Sequence, residues 1–204
     1  MDVAATIFST GWTSGINSYA TVLVLSLLGR AGVGGVPEGL DQDWVLFAAA
    51  GMFAVEFFAD KIPYLDSVWD SIHTVIRPLI GAILGFSFAG EHGLDGIEEA
   101  VGAGGSGLTA LASHGVKAGL RLGVNTSPEP ASNIFVSLIE DGVVGVVAYL
   151  AIHNPELAAL IAAVCLISGG LLMLLLWKKI IHPGWVRLRT RYGTAGAGGG
   201  SGGT

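Results

Sequence analysis

The stretch LAALIAAVCLISGGLLMLLLW, from Leu157 to Trp177, runs for 21 residues without one charge. About 20 apolar residues in a helix cover the roughly 30 Å hydrocarbon core of a bilayer. This segment therefore predicts a membrane span, and it sets how the rest of the chain is read. The chain as a whole agrees, with 51% hydrophobic and 13% charged residues and a mean hydropathy of +0.66. Soluble domains carry about a quarter charged residues. Many of the 32 glycines lie inside apolar runs, where membrane helices use small residues for close packing.

Working outward, five further helices are expected. Helix one runs from about Gly15 to Leu28, helix two from Trp44 to Phe58 and helix three from Asp66 to Ala89. A Gly/Ala-rich helix four covers Ile97 to Leu120, and helix five covers Ser132 to Ile152. His114 and Lys117 lie within helix four, which predicts a helix sheltered from lipid by its neighbours. The expected fold is thus an all-α membrane protein of about six transmembrane helices in one domain over residues 1–185. Residues 186–204 form a Gly-rich tail with no means of building a core. The start, MDVAATIFSTGW, lacks the basic region of a secretory leader, so the first apolar segment is expected to be retained.

Basic residues set the expected orientation. Lys178, Lys179, Arg187, Arg189 and Arg191 follow Trp177, which places that end in the cytoplasm. Six spans then put the N-terminus there too, with Lys61, Lys117 and Arg121 inward and Glu38, Asp41, Asp43, Glu91, Asp95, Glu98, Glu99 and Glu156 outward. Trp12, Trp44, Trp177 and Trp185 fall near expected span ends, as an interfacial aromatic belt would place them. A faint repeat pairs Ala59 with Ala151, Pro63 with Pro155 and Leu65 with Leu157. It suggests two inverted three-helix halves, about 10–90 and 97–180, the arrangement of many secondary transporters.

Ionisable residues inside spans are costly and mark candidate sites. In EFFADKIP, Glu56 and Asp60 stand four apart on one helix face. In DSVWDSIHTVIRP, Asp66, Asp70, His73 and Arg77 follow a 4-3-4 spacing, a single stripe. Val68, Ile72, Val75 and Leu79 form the opposite, apolar face. In SNIFVSLIEDG, Asn133, Ser137 and Glu140 share a face, with Asp141 about 100° away. Asn17, Ser18 and Tyr19 in GINSYAT are secondary candidates, readable as cavity lining or as helix caps. These side chains suit binding of an ion or small polar solute, because a carboxylate in low dielectric exchanges protons nearer neutral pH. Glu56, Asp60, Asp70, His73 and Glu140 also form a candidate set for a divalent cation. The bland reading is a structural ion-pair network joining Asp70 or Glu140 to Arg77.

Together GINSY, EFFADKIPYLDSVWDSIHTVIRP and SNIFVSLIEDG resemble the bacterial integral-membrane proteins grouped as domain of unknown function 4126, over about residues 10–180. The resemblance implies a bacterial inner-membrane location and brings no reaction with it. The functional expectation is a small transporter or channel, with a homo-oligomer expected from its size. The competing reading is a lipid-handling or scaffolding protein, with Arg77, Lys117 or Arg121 meeting lipid phosphate. Nucleic acid is not an expected partner at a net charge of −6. No GxSxG, HExxH or P-loop points to an enzyme.

Overall fold

The computed structural model describes residues 2–62, 65–124 and 130–178; the side chains of Asp66 and of residues 122–133 lie outside that description. Trp185, the tail 186–204 and the basic residues beyond Lys178 also lie outside it. Among the described residues the fold is all-helical: α1 (Val3–Arg30), α2 (Asp43–Ala59), α3 (Leu65–Glu91), α4 (Ile97–Val124), α5 (Pro130–His153) and α6 (Pro155–Leu176).

The polar stripe of α3 turns inward and its apolar stripe turns out. Asp70, His73 and Arg77 are buried, whereas Val75 on the opposite face is 72% exposed. Leu160, Ile167 and Leu171 of α6 are exposed in the same way. A charged interior beneath an apolar surface is the inverse of a water-soluble fold and marks an apolar surrounding. Only α3, α5 and α6, however, are both long and apolar enough to cross a membrane, over Ser67–Glu91, Ile134–His153 and Pro155–Leu176. That corrects the expectation of six hydrophobic spans. α2 has 17 residues, and α4 carries Glu98, Glu99, Lys117 and Arg121. A helix enclosed by others need not be apolar all round.

α1 departs most from expectation. It begins at Val3, well before Gly15, and breaks at Asn17, whose φ of −151° and ψ of 98° are not helical. Its first limb, residues 3–16, runs parallel to α4. Gly11 lies against Ser106 and Gly15 against Ala110 and Ser113, and the Ile16 carbonyl accepts a hydrogen bond from Lys117. The second limb, residues 18–30, then turns back. Tyr19 meets His73, while Val22, Leu25 and Leu28 join the cluster around Ile80, Leu84 and Phe88. The Glu38 backbone N–H reaches the Glu91 carboxylate at 3.4 Å, and Arg30 pairs with Asp43. Both ends of α1 therefore lie at the end of the bundle where α3 finishes and α2 and α4 begin. At 1.5 Å per residue each limb is about 20 Å long, too short to cross a bilayer of about 30 Å.

Asn154 makes the same corner between α5 and α6, with φ −151° and ψ 77°. Each asparagine carbonyl caps the backbone N–H three residues on, Ala20 at 2.9 Å and Leu157 at 3.2 Å. The cap reading of Asn17 is right, but the cap sits mid-chain at a reversal. Because α1 re-enters, the start of α1 and the end of α6 lie at opposite ends of the bundle. Trp12 also leaves the expected belt: it is buried against Ile16, Val144 and Val147, while Trp44 and Trp177 remain exposed.

Small residues let α1, α3 and α4 approach closely. A Cβ on Gly15 would overlap the Ala110 carbonyl and the Ser113 hydroxyl, whereas one on Gly145 meets nothing within 4 Å. Gly15→Ala is therefore expected to destabilise by about 1–3 kcal/mol, and Gly145→Ala to be neutral or to stabilise by up to about 1 kcal/mol. Thermal unfolding of both variants in detergent checks the contrast.

Candidate functional site

The break at Asn17 exposes backbone that a continuous helix would satisfy. Arg77 donates to the Gly15 carbonyl at 3.3 Å and Lys117 to that of Ile16 at 2.9 Å. The Asn17 amide donates to Asp141 at 3.0 Å. The tip of the re-entrant limb is thus held by two cations and one carboxylate from α3, α4 and α5.

Those groups belong to a larger network. Arg77, with 0% exposure, bridges Glu56 at 2.8 Å and Asp70 at 3.1 Å. Lys117 reaches Asp60 at 2.9 Å and lies 3.8 Å from Glu56 and 3.7 Å from Glu140. Arg121 grips Asp60 through its backbone carbonyl at 2.8 Å and its carboxylate at 3.2 Å, and Glu140 at 2.6 Å. At the edge, Lys61 lies 3.8 Å from Asp141 and donates to Ser137 at 3.3 Å. Glu56 and Asp60 both turn toward Lys117, as their four-residue spacing requires. Glu140 and Asp141 both face inward, but toward different cations.

Two histidines attach to this network. His73 Nδ1 lies 2.8 Å from the Trp69 carbonyl and Nε2 lies 3.0 Å from the Tyr19 hydroxyl. A carbonyl only accepts, so Nδ1 carries a proton, and Nε2 shares the second hydrogen bond with the Tyr19 hydroxyl. Arg77 donates to His114 Nδ1 at 2.7 Å. His114 is therefore neutral and its Nε2–H donates to Thr74 at 3.1 Å, which in turn donates to the Asp70 carbonyl at 3.0 Å.

The residues of the candidate divalent-cation set have other partners in this geometry. Glu56, Asp60, Asp70 and Glu140 each face a basic side chain and His73 is engaged by Tyr19 and Trp69; among the described residues no three His, Cys, Asp or Glu side chains converge on one metal position. Ser18 returns its hydroxyl to the Ser14 carbonyl at 2.7 Å. The side chains of Asp66 and Asn133 lie outside the description.

Among the described residues, five carboxylates (Glu56, Asp60, Asp70, Glu140, Asp141) share four cations (Lys61, Arg77, Lys117, Arg121). Glu56 is wholly buried, yet its Oε2 has no hydrogen-bond partner among them. A cavity of about 170 Å³ borders Lys117 and Glu140, walled by Trp12, Ile16, Cys165 and Leu166. Glu140, with a side chain 18% exposed, is the most open carboxylate of the central group.

A family model described as Domain of unknown function (DUF4126) matches residues 4–178, from the first turn of α1 to the end of α6. The chain belongs to that family. No curated protein and no solved structure matches it. In this DUF4126 chain the acidic candidates Glu56, Asp60, Asp70, Glu140 and Asp141 join the network, and most of its basic members were not among the sequence candidates for an ion site. Lys117 and Arg121 stood only as candidate phosphate contacts, and His114 only as a polar residue to be sheltered. Their 3-4 spacing is the signal that identified the α3 stripe, and it was there to be used. Lys61 carried no such signal, because it follows α2.

Removing one partner of a buried pair strands the other charge, at a cost of about 3–5 kcal/mol. Arg77→Met is expected to lose about that much, and Arg77→Met combined with Glu56→Gln to regain part of it. A double-mutant cycle by thermal unfolding in nanodiscs checks this; additive losses would mean that the two residues do not interact.

Proposed function

We propose that this protein is a small membrane carrier for an ion or small polar solute, built on the buried network around the tip of α1. The single observation that carries this reading is the surplus carboxylate, with Glu56 Oε2 wholly buried and without a partner among the described residues. The carboxylate is paired with Arg77 through Oε1, and a network that only fixed helix register would gain nothing from leaving its second oxygen unbonded. One that binds and releases a proton or cation needs such a vacancy. The broken helix supports the same reading, since discontinuous helices within the bilayer occur where backbone lines an ion or substrate site.

The proposed topology has α3, α5 and α6 crossing as apolar spans, the shorter α2 and the polar α4 crossing packed against their neighbours, and α1 re-entrant. Lys61 and the basic residues after Trp177 would face the cytoplasm, by the positive-inside bias. The N-terminus, Glu38, Asp95 and Glu156 would face outward. A bacterial inner membrane is the proposed location, and a homo-oligomer remains the size-based proposal. The inverted repeat plays no part in this reading.

One feature favours the lipid-handling alternative. An apolar groove of about 670 Å³ lies between the starts of α1 and α4, lined by Ile7, Phe8 and Val101. Its charged neighbours are Asp2 and Glu98, which repel lipid phosphate, while Arg77, Lys117 and Arg121 are committed to carboxylates elsewhere. The carrier reading accounts for the network and the groove reading does not.

In proteoliposomes holding an internal pH dye, imposed gradients of alkali cations or small organic anions are expected to move protons. Glu56→Gln and Glu140→Gln are each expected to reduce that movement at least about tenfold, with a cooperative thermal transition still present although lowered by the loss of a buried ion-pair partner. Full flux in both variants would contradict the assignment.

A further inference from the structure

The surroundings of Lys117 Nζ are those of an ion more than of a side chain. Four oxygens face it from three separate helices. The Ile16 carbonyl, freed by the break in α1, and Asp60 Oδ2 stand at 2.9 Å. Glu140 Oε2 and Glu56 Oε1 stand at 3.7 and 3.8 Å. The first two are hydrogen bonds; the others are too long to be and act through charge. An unwound-helix carbonyl plus carboxylates is the donor set that membrane carriers present to a coupling cation. Here an ammonium occupies it, tethered to α4.

We propose that this cage is a monovalent-cation site in which the Lys117 ammonium stands in for free sodium or potassium, so that the site exchanges one proton for one alkali ion. This deepens the carrier reading and rests on it. In the exchange the ammonium releases its proton to water, the neutral amine withdraws, and the alkali ion takes the vacated oxygens. One positive charge leaves and one arrives, so the balance of the network is unchanged. The groups facing Lys117 fit such a trade. Arg77 shares Glu56 Oε1 with it, and Arg121 shares Asp60 Oδ2 and Glu140 Oε2. Those neighbours hold the oxygens in place when the ammonium moves.

Two independent features point to a mobile occupant. Glu56 Oε2, wholly buried, has no partner among the described residues beside the oxygen that faces Lys117. The 170 Å³ cavity borders Lys117 and Glu140, leaving free space beside the cage.

The test removes the tether. In Lys117→Ala, five carboxylates face three cations among the described residues, and the cage is open to solvent ions. In nanodiscs its thermal transition is expected to rise by at least about 3 °C in sodium or potassium chloride over choline chloride at equal concentration. Wild type, whose ammonium already fills the cage, is expected to show a smaller difference that grows as rising pH takes the proton from Lys117. If the variant does not fold in choline, purification in the three salts is the readout, with folded protein expected only in sodium or potassium. Equal transitions, or equal failure, in all three salts would overturn the proposal. A salt-specific shift without flux in the liposomes keeps the cage and removes the carrier; flux without the shift does the reverse.

Discussion

A broken helix inside an apolar bundle has to find donors for its stranded carbonyls, and the rest of this structure depends on how that is done. Unsatisfied backbone in hydrocarbon costs several kcal/mol per group. At the Asn17 corner the donors are Arg77 and Lys117. Two cations in low dielectric are then untenable alone, and Glu56, Asp60, Asp70 and Glu140 answer them. The charged core follows from the backbone break. The break in turn is fixed by an asparagine whose side chain caps one limb and binds Asp141.

The same logic explains why α3 and α4 pack so closely on α1. Charged side chains bridging three helices have fixed reach, so the backbones must come to them. Gly81 and Gly85 of α3 and Gly102 and Gly107 of α4 leave no room for a Cβ between those two helices without displacing a neighbour. Gly11 and Gly15 do the same for α1. Large apolar side chains are displaced to the outer surface, where Phe47, Val75, Leu108 and Leu160 stand exposed.

Much of this was legible in the sequence. Helix boundaries for α2, α3, α5 and α6 fall within a few residues of those observed, because hydropathy runs and Pro or Gly punctuation report them directly. The inward stripe of α3 followed from spacing alone. The re-entrant α1 was not legible. Hydropathy reports apolar length and not direction, and Ser, Thr and Gly in residues 3–16 lowered that signal where a helix nonetheless forms. GINSYAT read as a helix start, which is locally true, since Asn17 caps the second limb. What no local pattern disclosed is that a first limb precedes it and points the opposite way. The pairing of Lys117 with the Ile16 carbonyl was hidden for the same reason, being a contact between residues 101 apart.

The re-entrant limb is the claim on which the rest stands, and site-directed labelling reads it directly. In a Cys165→Ser background, single cysteines at Ala4, Glu38 and Ile62 are probed in sealed vesicles with a membrane-impermeant maleimide. The account predicts that Ala4→Cys and Glu38→Cys label from one face and Ile62→Cys from the other. Labelling of Ala4→Cys and Glu38→Cys from opposite faces would mean that α1 crosses the membrane, and would contradict it.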